Sequence, residues 1–457
     1  MSRLPLKIVI VGAGSVAFTP SLISGFSVDP RYRRATIGLV DINPEILDVV
    51  RRFAQRVSDE LGLDWTIEAS TDRREVLAGA DIVTTSIGVG GVDVWALDVD
   101  IPYKYGIIQP VGDTSGPGGL ARALRHVPVL VEIGWDMEEL CPNAAFYNFA
   151  NPLTVNAQAI NKLTKIQCVG LCIGVDITWD YLCQLLGVNK QHTSIIAGGI
   201  NHCHWITDFR LLGEDAFPIV RAALDEQEGK PMEMEYFRAK YPQIAPRAQE
   251  PQDRQPLCST LFRKFGAYPG PGEGHVGEFF PQLMRPLISD VEKFQGGSIR
   301  WVHQSYPLLV QKMKDIAAGR VPIEAETFAR ELAWEHTQLL GIIASRQDNL
   351  GKTFFINLPN RGMITNLPAE AVVEIPATAD AAGLHPFALG DLPKAVVPTL
   401  AHKIASLDLI IEAAMEGSRQ KAVQALINDP HCTDMAAAER MVNELIDAEL
   451  DYLPRFR

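Results

Sequence analysis

The sequence predicts an α/β fold in which a doubly wound parallel sheet is followed by a mixed α+β region. Apolar runs typical of buried parallel strands alternate with segments typical of helices. The strands are expected at 7–11, 35–40, 67–69 and 80–86, and the helices at 19–26, 43–61 and 73–77. This β-α-β-α-β order is that of doubly wound sheets. Because 457 residues exceed what one hydrophobic core usually serves, we expect two domains, 1–200 and 201–457.

The rest of the chain shows no regular alternation of strands and helices. A glycine-rich loop at 112–119 precedes a predicted helix at 120–140, and a second loop rich in proline and glycine covers 268–275. Further strands are expected at 144–149, 168–175, 194–200, 354–358 and 371–375, and helical stretches at 287–318, 324–344, 393–416 and 433–450. This mixture predicts an α+β substrate domain.

Composition and charge exclude several classes of protein. A hydrophobic content of 47% and a charged content of 21% are ordinary for a folded domain. The net charge of −13 disfavours binding to nucleic acid, whose phosphates are also negative. Seven cysteines without a CxxC pair suggest reduced thiols. The apolar N-terminal run is too short for a signal peptide, and no stretch approaches a membrane span, so we expect a cytoplasmic protein.

A GxGxxA motif lies between the first strand and the first helix. Gly12 permits a tight turn, Gly14 permits close approach of a pyrophosphate, Ser15 follows it, and the small Ala17 is expected to let the helix pack against the strand. Asp41 ends the second strand, where a carboxylate accepts hydrogen bonds from both adenosine ribose hydroxyls and repels a 2′-phosphate. We therefore predict a Rossmann-type domain that binds NAD rather than NADP. The alternative is a plain tight turn.

Cys172 lies in the predicted strand 168–175, and His202 lies at the end of the next predicted strand, 194–200. If these strands are neighbours, a thiolate and an imidazole open onto one crevice, and this pair suits Mn, Fe, Co, Ni or Zn. The alternative is a buried structural cysteine, because VGLCIGV is apolar and two separated residues form no spacing motif.

Several polar residues in loops are further candidates. They are Asp113, Asp176, Tyr268, Glu273, His275 and Glu278. Each is equally compatible with a helix cap, a turn or a solvated surface, although the 268–275 loop is a place from which a general base could come. Arg122 and Arg125 share one helix face, where they either pair with a carboxylate or recognise an anionic substrate.

Several segments, in order along nearly the whole chain, resemble glycoside hydrolase family four, the NAD- and divalent-metal-dependent glycosidases. Lactate and malate dehydrogenases share the first lobe, but their arginine and histidine signatures are absent from the second. The matching segments are KIVIVGAGSVAFTPSLI, VGG at 89–91, KYGIIQPVGDTSGPGGLARALR, NFANPLTV, VGLCIGV, GGINHCHWI and FINLPNRGMITNLPAEAVVEIPA.

The resemblance implies roles for individual residues. Cys172 and His202 would hold the metal, commonly Mn²⁺ and alternatively Co²⁺ or Ni²⁺, while Asn151 contacts the sugar and Asn148 lies at the nicotinamide. The implied reaction is hydride transfer from sugar C3 to NAD⁺, deprotonation at C2, elimination of the C1 leaving group, addition of water and return of the hydride. Thiolate ligation would explain a need for reducing conditions.

This sequence departs from the family where an acid or histidine often follows the metal cysteine, because Ile173 occupies that position. Asp176 and His275 are the substitutes for the general acid, and His275 also becomes a candidate for substrate binding. The loop FGAYPGPGEGH resembles the branch with an aspartate base, so Glu273 is the first candidate for the base and Tyr268 the second.

The same segment most resembles the uronidase branch, which predicts α-galacturonides or α-glucuronides as substrates. Arg122, Arg125 and Arg285 are candidates to bind the C6 carboxylate. The alternatives are an α-galactosidase or α-glucosidase of the same family, an NAD-dependent hydroxy-acid dehydrogenase, and an NAD-binding protein without catalysis. The family commonly forms dimers or tetramers, so we expect a homodimer or homotetramer.

Overall fold

The computed structural model describes residues 5–229, 232–240, 254–323 and 336–457. Its strands form one continuous sheet in the order β10-β8-β7-β12-β11-β6-β5-β4-β1-β2-β3, with β13 beside β12 and β9 beside β8. The strands are β1 Leu6–Val11, β2 Arg34–Val40, β3 Asp64–Ser70, β4 Ile82–Thr85, β5 Ala145–Asn148, β6 Cys168–Gly170, β7 Thr193–Ile200, β8 Cys203–Leu211, β9 Glu214–Asp215, β10 Tyr268–Gly270, β11 Lys352–Pro359, β12 Val372–Asp380 and β13 Gly383–Pro386.

Helices of five or more residues connect these strands, and several of them pack against the sheet. They are α1 Thr19–Val28, α2 Pro44–Glu60, α3 Arg73–Leu77, α4 Gly91–Lys104, α5 Gly116–Leu140, α6 Leu153–Leu163, α7 Gly174–Leu186, α8 Phe217–Gln227, α9 Met232–Lys240, α10 Pro256–Phe265, α11 Glu273–Gly277, α12 Pro281–Leu287, α13 Gly297–Ala317, α14 His336–Gln347, α15 Val397–Glu416, α16 Arg419–Ile427 and α17 Met435–Ala448. None of the helices in the described ranges has the length and apolar character that crossing a membrane requires.

The first six strands are parallel and lie in the order 3-2-1-4-5-6. This is the order of a Rossmann-type doubly wound sheet, so the predicted fold class is confirmed. The apolar runs have the expected cause, since β1 and β4 are buried on both faces between helices. Ligands bind such sheets at the carboxyl ends of the strands, close to the point where the strand order reverses.

Antiparallel pairing joins the second half of the chain to this sheet. Strand β11 pairs with β6 through Asn357 and Gly170, and β12, β7, β8 and β10 follow it. The predicted domain boundary at residue 200 falls in the turn of the β7–β8 hairpin. The division into two domains at that residue stays a prediction, since the sheet itself is continuous.

Most of the predicted elements are confirmed, and the departures have physical causes. The predicted strand at 168–175 was wrong beyond Gly170, because α7 begins at Gly174 and an apolar run alone does not separate a short strand from a buried helix start. The glycine-rich loop ends at Ser115, since α5 already includes residues 116–119.

Two further corrections concern proline- and glycine-rich segments. The 268–275 loop contains a strand, β10, and the start of α11, because the proline in β10 is tolerated at the edge of the sheet. Ala17 is exposed and α1 begins only at Thr19, so the expected packing of a small third motif residue is wrong. The predicted helix at 324–344 is confirmed from residue 336 onward, and its earlier part lies outside the described residues.

Candidate active site

The turn after β1 has the shape that the glycine motif predicts. The N–H of Gly12 donates to the carbonyl oxygen of Val40, and its φ is +86°. A Cβ atom at this position would lie 2.9 Å from the backbone of Ser86 and Ile87, so only glycine fits. The turn therefore brings bare backbone to the carboxyl ends of the strands, as a dinucleotide cradle requires.

Asp41 lies directly beside this turn. Its Oδ2 accepts the N–H of Gly14 at 2.7 Å, and its Oδ1 accepts the N–H of Asn43 at 2.9 Å. The Ser15 hydroxyl accepts the N–H of Phe18 at 3.3 Å and so helps to shape the approach to α1. The carboxylate retains acceptor capacity for ribose hydroxyls, because each oxygen has two lone pairs. These residues fit the predicted adenosine end of a dinucleotide site.

Two asparagines shape the chain where β5 ends. Asn148 is fully buried, and its Oδ1 accepts from the Thr85 hydroxyl at 2.8 Å while its Nδ2 donates to the carbonyl of Ala150. Asn151 precedes a cis proline, and its Nδ2 donates to Asp113 Oδ2 at 2.8 Å. The structure thus gives Asn148 a backbone-shaping role and turns Asn151 toward the acidic side chain of the neighbouring loop.

Arg122 extends this wall from α5. Its Nε donates to the carbonyl oxygen of Asn151 at 3.2 Å, and its guanidinium lies 4.9 Å from the centre of the Trp95 ring. These contacts fix the base of the guanidinium beside Asn151 and Asp113.

A cluster of four side chains converges beyond Asn151, at the carboxyl ends of β6 and β7. The ligand atoms of Asp113, His202 and His275 lie within 4.8 Å of one another, and His202 Nε2 is 3.5 Å from Cys172 Sγ. The imidazole rings of His202 and His275 have centroids 3.9 Å apart. Cys172 and His202 are therefore brought together, although the expectation that their strands are neighbours is wrong, because β11 and β12 lie between β6 and β7.

The orientation of His202 follows from one hydroxyl group. Thr114 Oγ1 donates its single proton to Asp113 Oδ1 at 2.7 Å and lies 2.9 Å from His202 Nδ1. Having no second proton, the hydroxyl must accept from Nδ1–H. Nε2 then carries the lone pair, and it is Nε2 that faces the Cys172 sulfur. A hydrogen bond at the other ring nitrogen is the usual support for a histidine that binds a metal.

Burial sets the protonation of the cluster. It lowers the pKa of His202 well below its ordinary value, with a further contribution from His275, and it also lowers the pKa of His275. Burial opposes ionisation of Asp113, but the neighbouring histidines and Arg122 outweigh it and lower the pKa of this carboxyl. Neutral imidazoles and an ionised carboxylate are the forms that bind metals.

Asp113 belongs to this cluster, whereas the sequence offered it only as one of several loop residues. Its loop is supported from below by Glu278, whose Oε1 accepts the N–H groups of Val111 and Gly112 at 2.7 Å each. Glu278 is buried, and burial raises its pKa to about 8. The signal in the sequence was a Gly-Asp-Thr triplet ahead of a helix, which by itself indicates no more than a turn.

The candidate acids and bases lie in three different surroundings. Glu273 is buried and accepts the N–H groups of Leu257 and Cys258, and burial raises its pKa to about 7. Tyr268 is buried, with its hydroxyl donating to Gln255 Oε1 at 3.2 Å. Asp176 pairs with Lys190 at 3.0 Å and is 43% exposed. These partners of Glu273, Tyr268 and Asp176 all lie outside the cluster, in contrast to His275, whose ring contacts that of His202.

Two of the three arginines proposed for a substrate carboxylate have other partners. Arg125 forms paired hydrogen bonds to Asp98 at 2.7 and 2.8 Å and also contacts Glu449, in fully buried surroundings. Arg285 pairs with Glu292 on the surface. The carboxylates at Arg125 come from other elements rather than from its own helix face. The prediction of a substrate role was therefore wrong for Arg125, and Arg122 is the arginine that lies at the site.

Both implied cofactors fit the residues present. A sulfur and a nitrogen donor meet at Cys172 and His202, and ligand atoms of Asp113, His202 and His275 lie within 4.8 Å of one another. Such mixed sulfur, nitrogen and oxygen donors suit borderline divalent ions. At the other end of the crevice, the turn at Gly12, which has no room for a Cβ, exposes bare backbone near the carboxylate of Asp41. The two ends lie along the same strand-end crevice of the sheet.

Sequence comparisons agree with this architecture. Residues 7–188 match the family 4 glycosyl hydrolase profile, and residues 197–432 match the family 4 glycosyl hydrolase C-terminal domain. An α-galacturonidase of Bacillus subtilis (strain 168) is 30% identical, covering 96% of this chain and 97% of its own length. An α-galactosidase of Rhizobium meliloti (strain 1021) is 29% identical, with 98% of this chain and 89% of that protein covered.

Solved structures give the same result. A putative glucosidase from Bacillus subtilis superposes with a TM-score of 0.81 at 28% identity, covering 96% of this chain and 99% of that chain. A 6-phospho-α-glucosidase from gut microorganisms, solved in complex with NAD and Mn²⁺, shares the fold with a TM-score of 0.80 at 19% identity, covering 99% and 100%. With both halves of its length matched in order, the chain belongs to the family 4 glycosyl hydrolases.

Proposed function

We propose that this protein hydrolyses α-glycosides, with α-galacturonides or α-glucuronides as its first candidates, and that it uses bound NAD and a divalent metal ion such as Mn²⁺. One observation carries the proposal. The lone-pair nitrogen of His202 faces the Cys172 sulfur at 3.5 Å, while Thr114 holds the other ring nitrogen. This arrangement is typical of a metal site and has no purpose in a simple hydroxy-acid dehydrogenase.

The residues of the proposed site divide into two groups. Cys172, His202 and Asp113 would hold the metal, while Gly12, Gly14, Ser15 and Asp41 would hold NAD, with Asn148 shaping the nicotinamide end. The chemistry supplied by the two bound groups is reversible hydride transfer at sugar C3 and Lewis-acid polarisation of the sugar oxygens.

The remaining steps fall to side chains of the chain itself. Asn151 and His275 would bind sugar hydroxyls, because both border Asp113 and the crevice. Glu273 is our candidate to remove the C2 proton, since a pKa of about 7 suits a base at neutral pH. Tyr268 is the second candidate for the base. Asp176 would have to leave its ion pair with Lys190 to serve as the acid.

The preference for a uronide rests on Arg122. Its Nε donates to the carbonyl oxygen of Asn151 beside the crevice, and from this position the guanidinium would bind a carboxylate in two parallel hydrogen bonds. A relative described as an α-galacturonidase supports this substrate class, and one described as an α-galactosidase supports the neutral alternative.

The test is hydrolysis of p-nitrophenyl α- and β-glycosides and of α-galacturonides, with NAD⁺, Mn²⁺ and thiol each added or omitted. We expect cleavage of α-linked substrates only with all three present, and a preference for the uronide that Arg122→Met reduces at least tenfold. Cleavage of galactosides alone would move the substrate to the neutral alternative. Accumulation of NADH on a hydroxy acid without any cleavage would make the protein a dehydrogenase.

The candidate base has its own test. In Glu273, Oε2 accepts the N–H of Leu257 and Oε1 that of Cys258; Glu273→Gln is not basic and keeps an oxygen for only one of these two N–H groups. We expect it to suppress exchange of the sugar C2 proton with deuterated solvent, measured by NMR, while NAD affinity is retained. Tyr268→Phe is the matched control and should leave the exchange unchanged. If the C2 proton still exchanges in Glu273→Gln but no longer exchanges in Tyr268→Phe, Tyr268 is the base and Glu273 is not.

A further inference from the structure

A row of six residues crosses the sheet beside the metal cluster. In register across six neighbouring strands, from β6 to β10, these residues are Gly170, Asn357, Glu374, Gly199, His204 and Gly270. Three of them are glycines, and the side chains of the other three are fully buried. Cys172 follows the first residue of the row by two positions, and His202 precedes His204 by two. The row therefore adjoins both proposed metal ligands along the chain.

Hydrogen bonds connect the polar side chains of this row. Asn357 Nδ2 donates to Glu374 Oε1 at 2.9 Å, and Glu374 Oε2 accepts from His204 Nδ1 at 3.1 Å. On the other side of the ring, His204 Nε2 lies 2.9 Å from Thr178 Oγ1, and this hydroxyl donates to the carbonyl oxygen of Gly174 at 2.9 Å. The His204 ring is thus held at both nitrogens, between a carboxylate and the first turn of α7.

Glycines leave the space that this arrangement needs. A Cβ atom at Gly270 would lie 1.9 Å from Thr178 Oγ1 and 2.3 Å from His204 Nε2. At Gly174, the first residue of α7, a Cβ atom would lie 3.4 Å from His204 Cε1, so the ring lies against the backbone there. Residue 270 therefore has to be glycine for the ring and the hydroxyl to meet.

Gly174 connects this network to a proposed metal ligand. Its N–H donates to Cys172 Sγ at 3.3 Å, while its carbonyl oxygen accepts from the Thr178 hydroxyl. The two peptide groups on either side of its Cα are thus held, one against the sulfur and one by the network. Groups that form hydrogen bonds to a metal ligand orient it and tune its electron donation, and their loss typically weakens metal binding by about 10–100-fold.

We propose that His204 and Glu374 are positioning residues of the metal site. Glu374 fixes the imidazole of His204, and the imidazole and Thr178 together fix the first turn of α7, whose N–H group orients the Cys172 sulfur toward the metal. The inference rests on the proposed function, because it requires that Cys172 binds a metal ion. A network that only stabilised the sheet would affect the free energy of unfolding and leave the metal site unchanged.

The experiment uses Co²⁺ as the probe, because a bond between cobalt and a thiolate gives a charge-transfer absorption band that reports on the sulfur. The obvious variant, His204→Phe, leaves the buried Glu374 without its histidine partner and is expected to destabilise the fold, so Thr178→Val is the main test. We expect Thr178→Val to weaken Co²⁺ binding about tenfold or more, measured by competition with a chelator, and to shift the band. Thr178→Ser, which keeps the hydroxyl, should restore both.

Glu374→Met tests the carboxylate, since it removes both oxygens and nearly keeps the length of the side chain. We expect this variant also to weaken Co²⁺ binding and to shift the band. The double variant with Thr178→Val should go little beyond the larger single effect, because both residues act through the His204 ring and their effects are then not additive.

Thr193→Val is the matched control. The Thr193 hydroxyl likewise joins a ring nitrogen to a backbone carbonyl, because it accepts from Trp179 Nε1 at 2.8 Å and donates to the carbonyl oxygen of Lys190 at 2.7 Å. Since these contacts lie outside the row, Thr193→Val should change neither the Co²⁺ affinity nor the band, although it also removes a bridging hydroxyl next to α7.

The possible results separate this inference from the proposed function. If the wild type shows the band and neither Thr178→Val nor Glu374→Met changes the band or the affinity, the row only stabilises the sheet and the positioning role is refuted, while the metal site stands. If the wild type shows no cobalt–thiolate band, Cys172 does not bind the metal, and the proposed metal site fails together with this inference. If Thr193→Val changes the band as much as Thr178→Val, the effect is not specific to the row, and the inference is overturned.

Discussion

Two buried groups of charged residues flank helix α5, and they are built on opposite principles. The triad of Arg125, Asp98 and Glu449 is closed, because the guanidinium forms hydrogen bonds to both carboxylates and all three side chains are at most 1% exposed. The cluster of Cys172, His202, Asp113 and His275 is open, because its donor atoms converge without a cation of their own. The first group connects the C-terminal segment to the core, and the second faces the crevice.

Buried polar side chains thus serve stability in the triad and ligand binding in the cluster. In the triad, a surplus of negative charge is held by a fixed cation, and burial raises the pKa of Glu449. In the cluster, both histidines are held neutral, so a carboxylate and imidazole nitrogens remain as free ligands. Substitutions in the triad should therefore act on folding, and substitutions in the cluster on ligand binding.

The largest effect is expected in the triad. Arg125→Met would leave Asp98 and Glu449 buried beside each other without a cation, and breaking a buried ion pair costs about 3–5 kcal/mol. Urea unfolding should show this loss in the free energy of unfolding. Arg51→Met, in an exposed ion pair with Asp48 on α2, should change it by less than about 0.5 kcal/mol. Equal losses in both variants would remove the distinction between the triad and a surface pair.

The next effect concerns Glu278, the buried carboxyl beneath the Asp113 loop. Its folded-state pKa of about 8 lies above the ordinary 4.5, so the folded protein holds the proton more tightly than the unfolded chain does. Its contribution to stability is therefore present below pH 4.5 and is lost as the pH rises toward 8. With about 1.4 kcal/mol per pKa unit, the full loss is of the order of 5 kcal/mol.

Glu278→Gln tests this expectation, because the amide oxygen still accepts the N–H groups of Val111 and Gly112 but does not ionise. Between pH 5 and 8 the wild type should lose more unfolding free energy than the variant, measured by urea unfolding at each pH. Parallel pH profiles would mean that Glu278 is already ionised at pH 5 in the folded protein.

The open cluster is tested by Cys172→Ser. Removing the thiolate should lower metal-dependent glycosidase activity about 100-fold, in the range found when metal sites lose a supporting group. NAD affinity and the free energy of unfolding should change little, in contrast to Arg125→Met. Cys432→Ser is the control, since this partly exposed cysteine lies near the start of α17. Full activity of Cys172→Ser would remove Cys172 from the metal site.

Local signals in the sequence predicted the first half of the molecule well. Apolar runs and helical periodicity located β1, β2 and β4, and the glycine spacing located the turn at Gly12, because each signal arises within a few neighbouring residues. The Cys172–His202 pair was predicted on the condition that their strands are neighbours, and this condition is wrong, because β11 and β12 lie between β6 and β7 and all these pairings are antiparallel. The two strand ends still meet, because Gly170 and Gly199 lie in one row across the sheet.

Non-local contacts account for what the sequence did not predict. Asp113 is held in the cluster by its chain neighbour Thr114 and by Asn151, and Thr114 in turn contacts His202. Asn151 and His202 come from two other parts of the chain. Arg125 has the same residue type and helix face as Arg122, yet its partners come from residues 98 and 449. No pattern within a single helix distinguishes a guanidinium enclosed by distant carboxylates from one that borders a crevice.

The smallest effect is expected at Asp41, which lies outside both groups and tests whether the crevice continues to a dinucleotide. Asp41→Ala should weaken NAD binding about tenfold, because the ribose hydroxyls lose a charged acceptor, and hydrogen bonds to charged groups contribute about 1.5–3 kcal/mol. Calorimetry would measure the NAD affinity, with Asp48→Ala on the exposed face of α2 as the control.

Asp41 has a second role, because it also accepts the N–H of Gly14. Asp41→Asn separates the two roles, since its amide oxygen can still accept that N–H but carries no charge. If Asp41→Ala binds NAD as tightly as the wild type, Asp41 does not contact the dinucleotide, and the evidence for a functional crevice is limited to the metal cluster.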